Sequence, residues 1–174
     1  TRSFKTQYMT PGALSTAAQL ISMGARREDI VNRLYRSRSI NVLKLWGRVL
    51  ARLSSGLDGK LVWSIISRSD FAKTGAIESD LAEVIDELII NVPQAKIIII
   101  IYETETASAM PGAANIVTKA IIYTVRNLNA LDLVKEYHPM GTKNLAKVII
   151  PKELAIAEKE LSETIQNNLS RLPL

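Results

Sequence analysis

The sequence contains no cysteine and a single histidine among its 174 residues. Without cysteine the chain can form no disulfide, no thiolate metal site and no thiol nucleophile, and the composition fits a reducing compartment. The one histidine, His138, excludes a metal site that needs several histidines. A lone histidine without a visible carboxylate partner is more often structural or exposed than a general acid or base. We therefore expect a cytoplasmic protein that has neither a catalytic thiol nor a histidine-rich metal centre.

Long hydrophobic runs are also missing. The longest apolar stretch, residues 97–102, consists of five isoleucines and a tyrosine and is far too short to cross a bilayer. Its length and its β-branched side chains are instead typical of a buried strand. No signal peptide is visible, so we expect no membrane partner.

Motifs for catalysis are scarce. The sequence has no phosphate-binding glycine fingerprint, no nucleophile elbow and no carboxylate cluster of the kind that binds divalent metals. Glu103 and Glu105 follow the predicted central strand and could reach a cleft, since ligand sites of open α/β sheets lie at strand ends. The acidic pairs on predicted helices, Asp86 with Glu87 and Glu158 with Glu160, are more often solvated charge. We predict no catalytic residue, no metal ligand and no cofactor in this chain itself.

The composition is otherwise that of a globular protein, with 47% hydrophobic and 22% charged residues. The length allows one domain, or one domain and an appended helical segment. A net charge of +5 and a pI near 9.5 favour an anionic partner, with nucleic acid or nucleotide phosphate ahead of a membrane surface. Much of the excess charge lies between Arg26 and Arg52, where the solvated faces of amphipathic helices would explain it equally well.

The first third of the chain has helical periodicity. Thr10 and Pro11 are typical of a helix start, and Gly24 is typical of a helix end. Turn-forming residues begin at Gly56, where we place a domain boundary, so that residues 1–56 form a helical segment. The predicted helices cover residues 10–24, 27–37 and 39–53.

From residue 57 onward the pattern changes to strands separated by helices. Residues 103–115 lack periodicity and predict a loop or a loose hairpin. The domain formed by residues 57–174 is predicted to be α/β, with a mixed sheet and helices on both of its faces. The predicted strands cover residues 60–66, 95–102, 117–126 and 147–150, and the predicted helices cover residues 67–73, 78–90, 130–137 and the segment after Pro151.

The stretch from Tyr123 to Lys147 combines a strand end, a short helix capped by Asn129, a glycine turn and a basic tip. A guanidinium offers a phosphate a planar fork of donors, and an ammonium offers a point charge. Glycine, threonine and asparagine add backbone and side-chain donors. Ordinary solvated residues at a strand end and in a loop are the alternative interpretation. The candidate anion-binding residues are Arg126, Gly141, Thr142, Lys143 and Asn144.

These residues, together with the motifs that precede them, resemble the C-terminal half of a DHH-family phosphoesterase, close to the bacterial oligoribonuclease and nucleotide-phosphatase branch. Thr1-Arg-Ser-Phe-Lys5 resembles the family's Thr-Gly-Ser-Phe segment, residues 24–50 resemble its helical connector, and residues 59–76 resemble the opening of its DHH-associated domain. Thr124-Val-Arg-Asn127 and Met140-Gly-Thr-Lys-Asn144 resemble the substrate-binding strand and loop. The ordered motifs cover nearly the whole chain.

The resemblance implies a metal-dependent phosphodiesterase or phosphatase whose catalytic half is absent from this chain. In the family, Mn²⁺ (or Mg²⁺) is held by an N-terminal DHH domain, and the segment matching Thr1 follows directly after it. The resemblance also implies that Arg126 and the loop at residues 141–144 bind short single-stranded RNA or DNA, or a nucleotide phosphate. The chain alone would then be inactive, its partner would be the missing catalytic domain, and it could form a homodimer.

The family pattern is not kept at every position. Thr142 stands where the family has a histidine, Pro139 and Met140 replace glycines, and Arg2 replaces the usual glycine. These departures leave open a non-catalytic nucleotide- or nucleic-acid-binding interaction module with the same fold. A domain appended to a tRNA-handling enzyme is a third alternative, although the helical connector at residues 43–50 argues against it.

Overall fold

The computed structural model describes residues 10–30, 39–107, 114–125 and 127–170. The chain divides into two compact units, residues 1–39 and residues 40–174. Residues 40–56 belong to the second unit, whereas the predicted helical segment covers residues 1–56. The domain boundary at residue 56 itself stays a prediction.

In the first unit, helix α1 spans Pro11–Ser22. The hydroxyl oxygen of Thr10 accepts a hydrogen bond from the amide of Ala13 at 3.2 Å, and proline occupies the first turn, where its missing amide hydrogen costs nothing. Gly24, with a φ of 94°, follows the helix end. The predicted start and end are therefore confirmed. Residues 27–30 begin the second predicted helix, and the rest of that prediction lies outside the described residues.

The second unit is built on a six-stranded sheet with the strand order β1-β2-β3-β4-β6-β5. Strands β2 and β3 are parallel, and all other neighbours are antiparallel, so the sheet is mixed as predicted. The strands are β1 (Ser54–Gly56), β2 (Leu61–Ile66), β3 (Ile97–Ala107), β4 (Ala114–Thr124), β5 (Met140–Thr142) and β6 (Leu145–Ile150).

Helices cover both faces of this sheet, which confirms the predicted α/β class. On one face α5 and α6 pack on the strands, and on the other face α2 and α4 do so. The helices of the second unit are α2 (Ile40–Ala51), α3 (Arg68–Thr74), α4 (Leu81–Asn91), α5 (Ala130–Leu133) and α6 (Leu154–Ser170), with single 3₁₀ turns at Glu78–Asp80 and Lys135–Tyr137.

The isoleucine run at the start of β3 supplies both hydrophobic cores. Ile97, Ile99 and Ile101 join the cluster that contains residues of α5 and α6. Ile98 and Ile100 join the cluster that contains residues of α2 and α4. Alternate residues of a strand point to opposite faces, and each fully buried isoleucine contributes about 1.5–3 kcal/mol. The predicted buried central strand is confirmed.

Several boundaries differ from the sequence prediction. Strand β3 continues past Tyr102 to Ala107, paired with β4 from Ala114 onward, so the ends of the segment predicted as a loop or loose hairpin are the arms of a long hairpin. Strands β1 and β5, of three residues each, were not predicted. The predicted helix 130–137 is one α-helical turn followed by a 3₁₀ turn. β1, β5 and the ends of the long hairpin are strand because each has a backbone partner in a neighbouring strand.

A polar network fastens the 3₁₀ turn at Glu78 to the sheet. The Tyr102 hydroxyl donates to Glu78 Oε1 at 2.8 Å, and Lys119 Nζ lies 3.1 Å from Glu78 Oε2. Burial raises the pKa of the Tyr102 phenol, and the Glu78 carboxylate raises it further. Burial also raises the pKa of Glu78, but the bonds from Tyr102 and Lys119 outweigh it and the net pKa is lowered.

The Tyr102→Phe variant is expected to lose about 1–2 kcal/mol of unfolding free energy, because the buried bond to the Glu78 carboxylate disappears while the ring still fills its site. Urea denaturation measures the loss. The matched control is Tyr137→Phe, since the Tyr137 hydroxyl has no hydrogen-bond partner among the residues that the structure covers. Equal stabilities of the two variants would contradict the assigned role of the Tyr102 hydroxyl.

Candidate anion-binding hairpin

The predicted glycine loop is a β-hairpin. Strands β5 and β6 pair Gly141 with Ala146 and Thr142 with Leu145, so Lys143 and Asn144 form a two-residue turn. All three residues of β5 are exposed, and Lys143 is exposed with them. The hairpin therefore presents its tip to solvent, as an anion-binding loop must.

Only glycine fits at position 141. Its φ is 143°, a conformation that side-chain-bearing residues rarely adopt. A Cβ atom there would overlap the carbonyl oxygen of Leu145 and lie 3.3 Å from the Cα of Ala146. The close approach of the two strands at this point therefore depends on the absence of a side chain.

Asn144 ties the turn to the end of β4. Its side-chain nitrogen donates to the carbonyl oxygens of Thr124 and Val125, both at 3.0 Å, and its own carbonyl accepts from the Thr124 amide at 3.0 Å. The carbonyl of Lys143 accepts from the Ala130 amide, at the start of α5, at 2.7 Å. The side-chain amide of Asn144 is thus used inside the protein, where it holds the tip in place.

Thr142 and Lys143 are the exposed donors of the tip. No described carboxylate forms an ion pair with Lys143, so its ammonium is available to an external anion. Arg126, the other predicted cation, lies outside the described residues. Its chain neighbour Val125 accepts the hydrogen bond from Asn144, so the described backbone brings the hairpin turn against the end of β4 that leads to position 126.

The other candidates from the sequence lie elsewhere or are engaged. Glu103 accepts a hydrogen bond from the backbone amide of Arg68 at 3.0 Å, and Glu105 forms an ion pair with the Arg68 guanidinium. Both acids follow the buried part of β3, so they lie at the end of the sheet away from the hairpin. His138 is exposed, with a φ of 49°, and its amide caps the 3₁₀ turn before it by donating to Lys135 at 3.2 Å. The structure brings none of the three to the hairpin tip.

Sequence reasoning missed one buried charged centre. Asp70 is 1% exposed and accepts bonds from the Arg52 guanidinium, from the Ser67 hydroxyl at 2.7 Å and from the Ser67 amide at 2.9 Å. Burial raises the pKa of Asp70, but the bonds from Ser67 and Arg52 outweigh it, so the net pKa is lowered. The Ser-x-x-Asp spacing at residues 67–70 was the available signal, because it is typical of a helix capping box. Its role is to join α2 to α3.

The described residues contain no group of three or more acidic, histidine or cysteine side chains that could hold a metal ion. The Mn²⁺ or Mg²⁺ implied by the family resemblance therefore finds no fitting site in the parts of the chain that the structure covers. Nor is any of the described helices long and apolar enough to cross a membrane.

No protein-family model and no curated protein matches the sequence. The chain is similar to solved structures, among them the following two. One is an exopolyphosphatase-related protein from Bacteroides fragilis, with a TM-score of 0.73 and 16% identity over 94% of this chain and 45% of that protein. The other is a pGpG-specific phosphodiesterase from Vibrio cholerae, with a TM-score of 0.50 and 13% identity over 97% of this chain and 54% of that protein.

The chain thus spans about half the length of the two proteins, 45% of one and 54% of the other. Identities of 13% and 16% are too low to carry residues or activities from one protein to another. The likeness extends over nearly all of this chain. The protein has the α/β fold found in these phosphoesterase-related proteins.

Proposed function

We propose that this chain is the substrate-binding half of a DHH-type phosphoesterase that acts on short oligonucleotides or nucleotides. In this proposal Arg126 and Lys143 bind phosphate, Thr142 donates from its hydroxyl, and Gly141 and Asn144 shape the hairpin. The catalytic metal, Mn²⁺ or Mg²⁺, belongs to a separate domain that acts as a partner. The chain by itself then binds the substrate and does not cleave it.

The observation that carries the proposal is the fixed hairpin tip. Two hydrogen bonds of 3.0 Å from the Asn144 side chain and one of 2.7 Å to the Lys143 carbonyl hold the turn against the end of β4 and the start of α5. Lys143 nevertheless remains exposed and unpaired with any described acid. A cation on a fixed backbone loses little entropy when it binds an anion, which favours phosphate recognition. The fold shared with phosphoesterase-related proteins is consistent with this function.

The Lys143→Ala and Arg126→Ala variants are expected to bind a fluorescently labelled single-stranded pentaribonucleotide about 5- to 20-fold more weakly than the wild type, because each loses a charged contact to phosphate. Each should also reduce the slope of log K against log salt by about 0.7, the value for one neutralised phosphate on a single strand. Fluorescence anisotropy titrations at several salt concentrations measure both quantities.

The control for this experiment is Lys159→Ala, on an exposed position of α6, which removes the same charge from another part of the second unit. It should keep the wild-type affinity and salt slope. If the Lys143 and Lys159 variants bind equally well, the hairpin is not the anion site. Equal binding by the Arg126→Ala variant and the wild type would exclude Arg126 as a phosphate contact but would leave the role of Lys143 unaffected.

A second candidate is a non-catalytic nucleotide- or nucleic-acid-binding module with the same fold. It is favoured by Thr142, which stands where the family pattern has a histidine. The two functions differ in what the gene encodes ahead of Thr1. An Asp-His-His segment upstream would support the phosphoesterase, and its absence from the whole reading frame would support the module.

A further inference from the structure

Two lysines lie next to each other at the end of the sheet that carries the hairpin. Lys60 directly precedes β2 and Lys96 directly precedes β3, and the two strands pair Leu61 with Ile97. The Lys96 amide donates to the Lys60 carbonyl at 2.8 Å. Lys60, in the turn before β2, and Lys96, at the bend before β3, are therefore neighbours at the same end of the sheet.

This arrangement places two positive charges together without compensation. Neither lysine forms an ion pair with a described residue, and both are partly exposed. Asp58, two positions before Lys60, is exposed and also has no ion-pair partner among the described residues. Like charges that lie close together repel each other. An external anion bound between the two ammonium groups would remove that repulsion.

The lysine pair is connected to the hairpin through consecutive strands. The Lys96 carbonyl accepts from the Val125 amide at 3.0 Å, and the Val125 carbonyl accepts from the Asn144 side chain at 3.0 Å. At this end of the sheet, the strand ends therefore follow one another in the order β2, β3, β4 and β6. Three strand spacings of about 4.8 Å separate the first from the last, so the lysine pair and the hairpin tip span roughly 14 Å. That distance exceeds the reach of one phosphate group.

We propose that Lys60 and Lys96 form a second phosphate contact, and that the ligand of this edge is a single-stranded oligonucleotide whose backbone crosses the ends of the four strands. The inference rests on the proposed function of the hairpin, because the hairpin supplies the first phosphate contact. It restricts that function to ligands with at least two phosphates. A nucleoside monophosphate would occupy the hairpin alone.

The test compares two ligands and three variants of the 174-residue chain. The ligands are a labelled single-stranded pentaribonucleotide and adenosine monophosphate, used as a competitor of a labelled analogue. The variants are Lys60→Gln, Lys96→Gln and the control Lys159→Gln on α6. Each edge variant should bind the pentaribonucleotide about 5- to 10-fold more weakly, with the salt slope reduced by about 0.7, and should bind the monophosphate as the wild type does. The control should change neither affinity.

Thermal unfolding separates binding from a structural role, because Lys96 also lies close in sequence to the end of α4 and could neutralise its carbonyl dipole. If they repel each other, each single substitution leaves the Tm equal to or above that of the wild type. A Tm lowered by several degrees in both variants, together with weaker binding of both ligands, would assign them to folding and overturn the inference.

The remaining outcomes are also decisive. Unchanged pentaribonucleotide affinity in both edge variants would overturn the second contact and leave the hairpin in place, provided that Lys143→Ala still weakens binding. A wild-type chain that binds neither ligand, or a Lys143→Ala variant that binds both normally, would overturn the proposed function of the hairpin and this inference with it.

Discussion

The Gly141→Ala variant is expected to lose about 2–4 kcal/mol of unfolding free energy and the anion binding proposed for the hairpin. The reason is geometric. A methyl group at this position would overlap the carbonyl oxygen of Leu145, and the φ of 143° is unfavourable for alanine. The strands β5 and β6 would have to separate, which would also release the turn from the end of β4. Denaturant unfolding and the pentaribonucleotide titration measure the two effects.

Gly47 is the matched control for this substitution. It lies at an exposed position of α2, and a Cβ there would meet no atom within 4 Å. Alanine is the better helix former, so Gly47→Ala should gain about 0.5–1 kcal/mol while binding is unchanged. The same substitution is thus expected to lower the unfolding free energy at Gly141 and to raise it at Gly47. A Gly141→Ala protein as stable as the wild type would show that the hairpin is not built as described.

Replacing Asp70 by alanine is expected to cost about 3–5 kcal/mol, because it leaves the Arg52 guanidinium without its buried partner and the amide and hydroxyl of Ser67 without this acceptor. Asp70 is 1% exposed, and Arg48 lies 3.9 Å from it in addition to Arg52 and Ser67. These contacts connect α2 with the capping turn of α3, so the packing of α2 against the sheet should loosen first. Chemical denaturation of the two proteins gives the difference.

The stability that Asp70 contributes is expected to depend on pH in a defined direction. Its pKa in the folded protein is lowered below the unfolded value of about 4. The contribution is therefore fully present above pH 4 to 5 and is lost as the pH falls through the folded-state pKa, where the carboxylate takes up a proton. The difference in unfolding free energy between the wild type and Asp70→Asn should accordingly shrink as the pH is lowered from 6 toward 3.

Glu160 provides the control for the charge. It forms an ion pair with Lys152 at 2.5 Å, but the side chains are 45% and 38% exposed. Exposed pairs contribute little, so Glu160→Gln should cost at most about 1 kcal/mol. If the Asp70 and Glu160 variants lose equal amounts of stability, burial of Asp70 is not what makes its ion pair important.

The candidate site could be predicted from the sequence only as a segment. The strand, the short helix, the glycine and the polar tip follow one another within residues 123–147, so their order was visible without a structure. The sequence did not show which of these donors holds the turn and which faces solvent. Asn144 offered the same amide as any surface asparagine, and only the position of Thr124 and Val125, about 20 residues earlier, shows that this amide holds the turn. Lys60 and Lys96 lie still further away in sequence and gave no local signal.

The sequence by itself determined the features that depend on neighbouring residues. The threonine and proline at the start of α1, the Asn129 cap, which accepts from the Leu131 amide at 3.1 Å, and the isoleucine run of β3 have local causes and were predicted correctly. For the two helix starts the cause is a cap hydrogen bond within one turn, and for β3 it is an uninterrupted run of hydrophobic side chains.

The tertiary structure decided the features that depend on residues distant in the chain. Strand β2 pairs in parallel with β3, which lies more than thirty residues later, and polar residues 103–105 are strand because Thr118 and its neighbours pair with them. Cross-strand hydrogen bonds and strand order cannot be read from a local pattern, since the partner lies far away in sequence. The same holds for Lys60 and Lys96, because only the fold brings them to the end of the sheet that carries the hairpin.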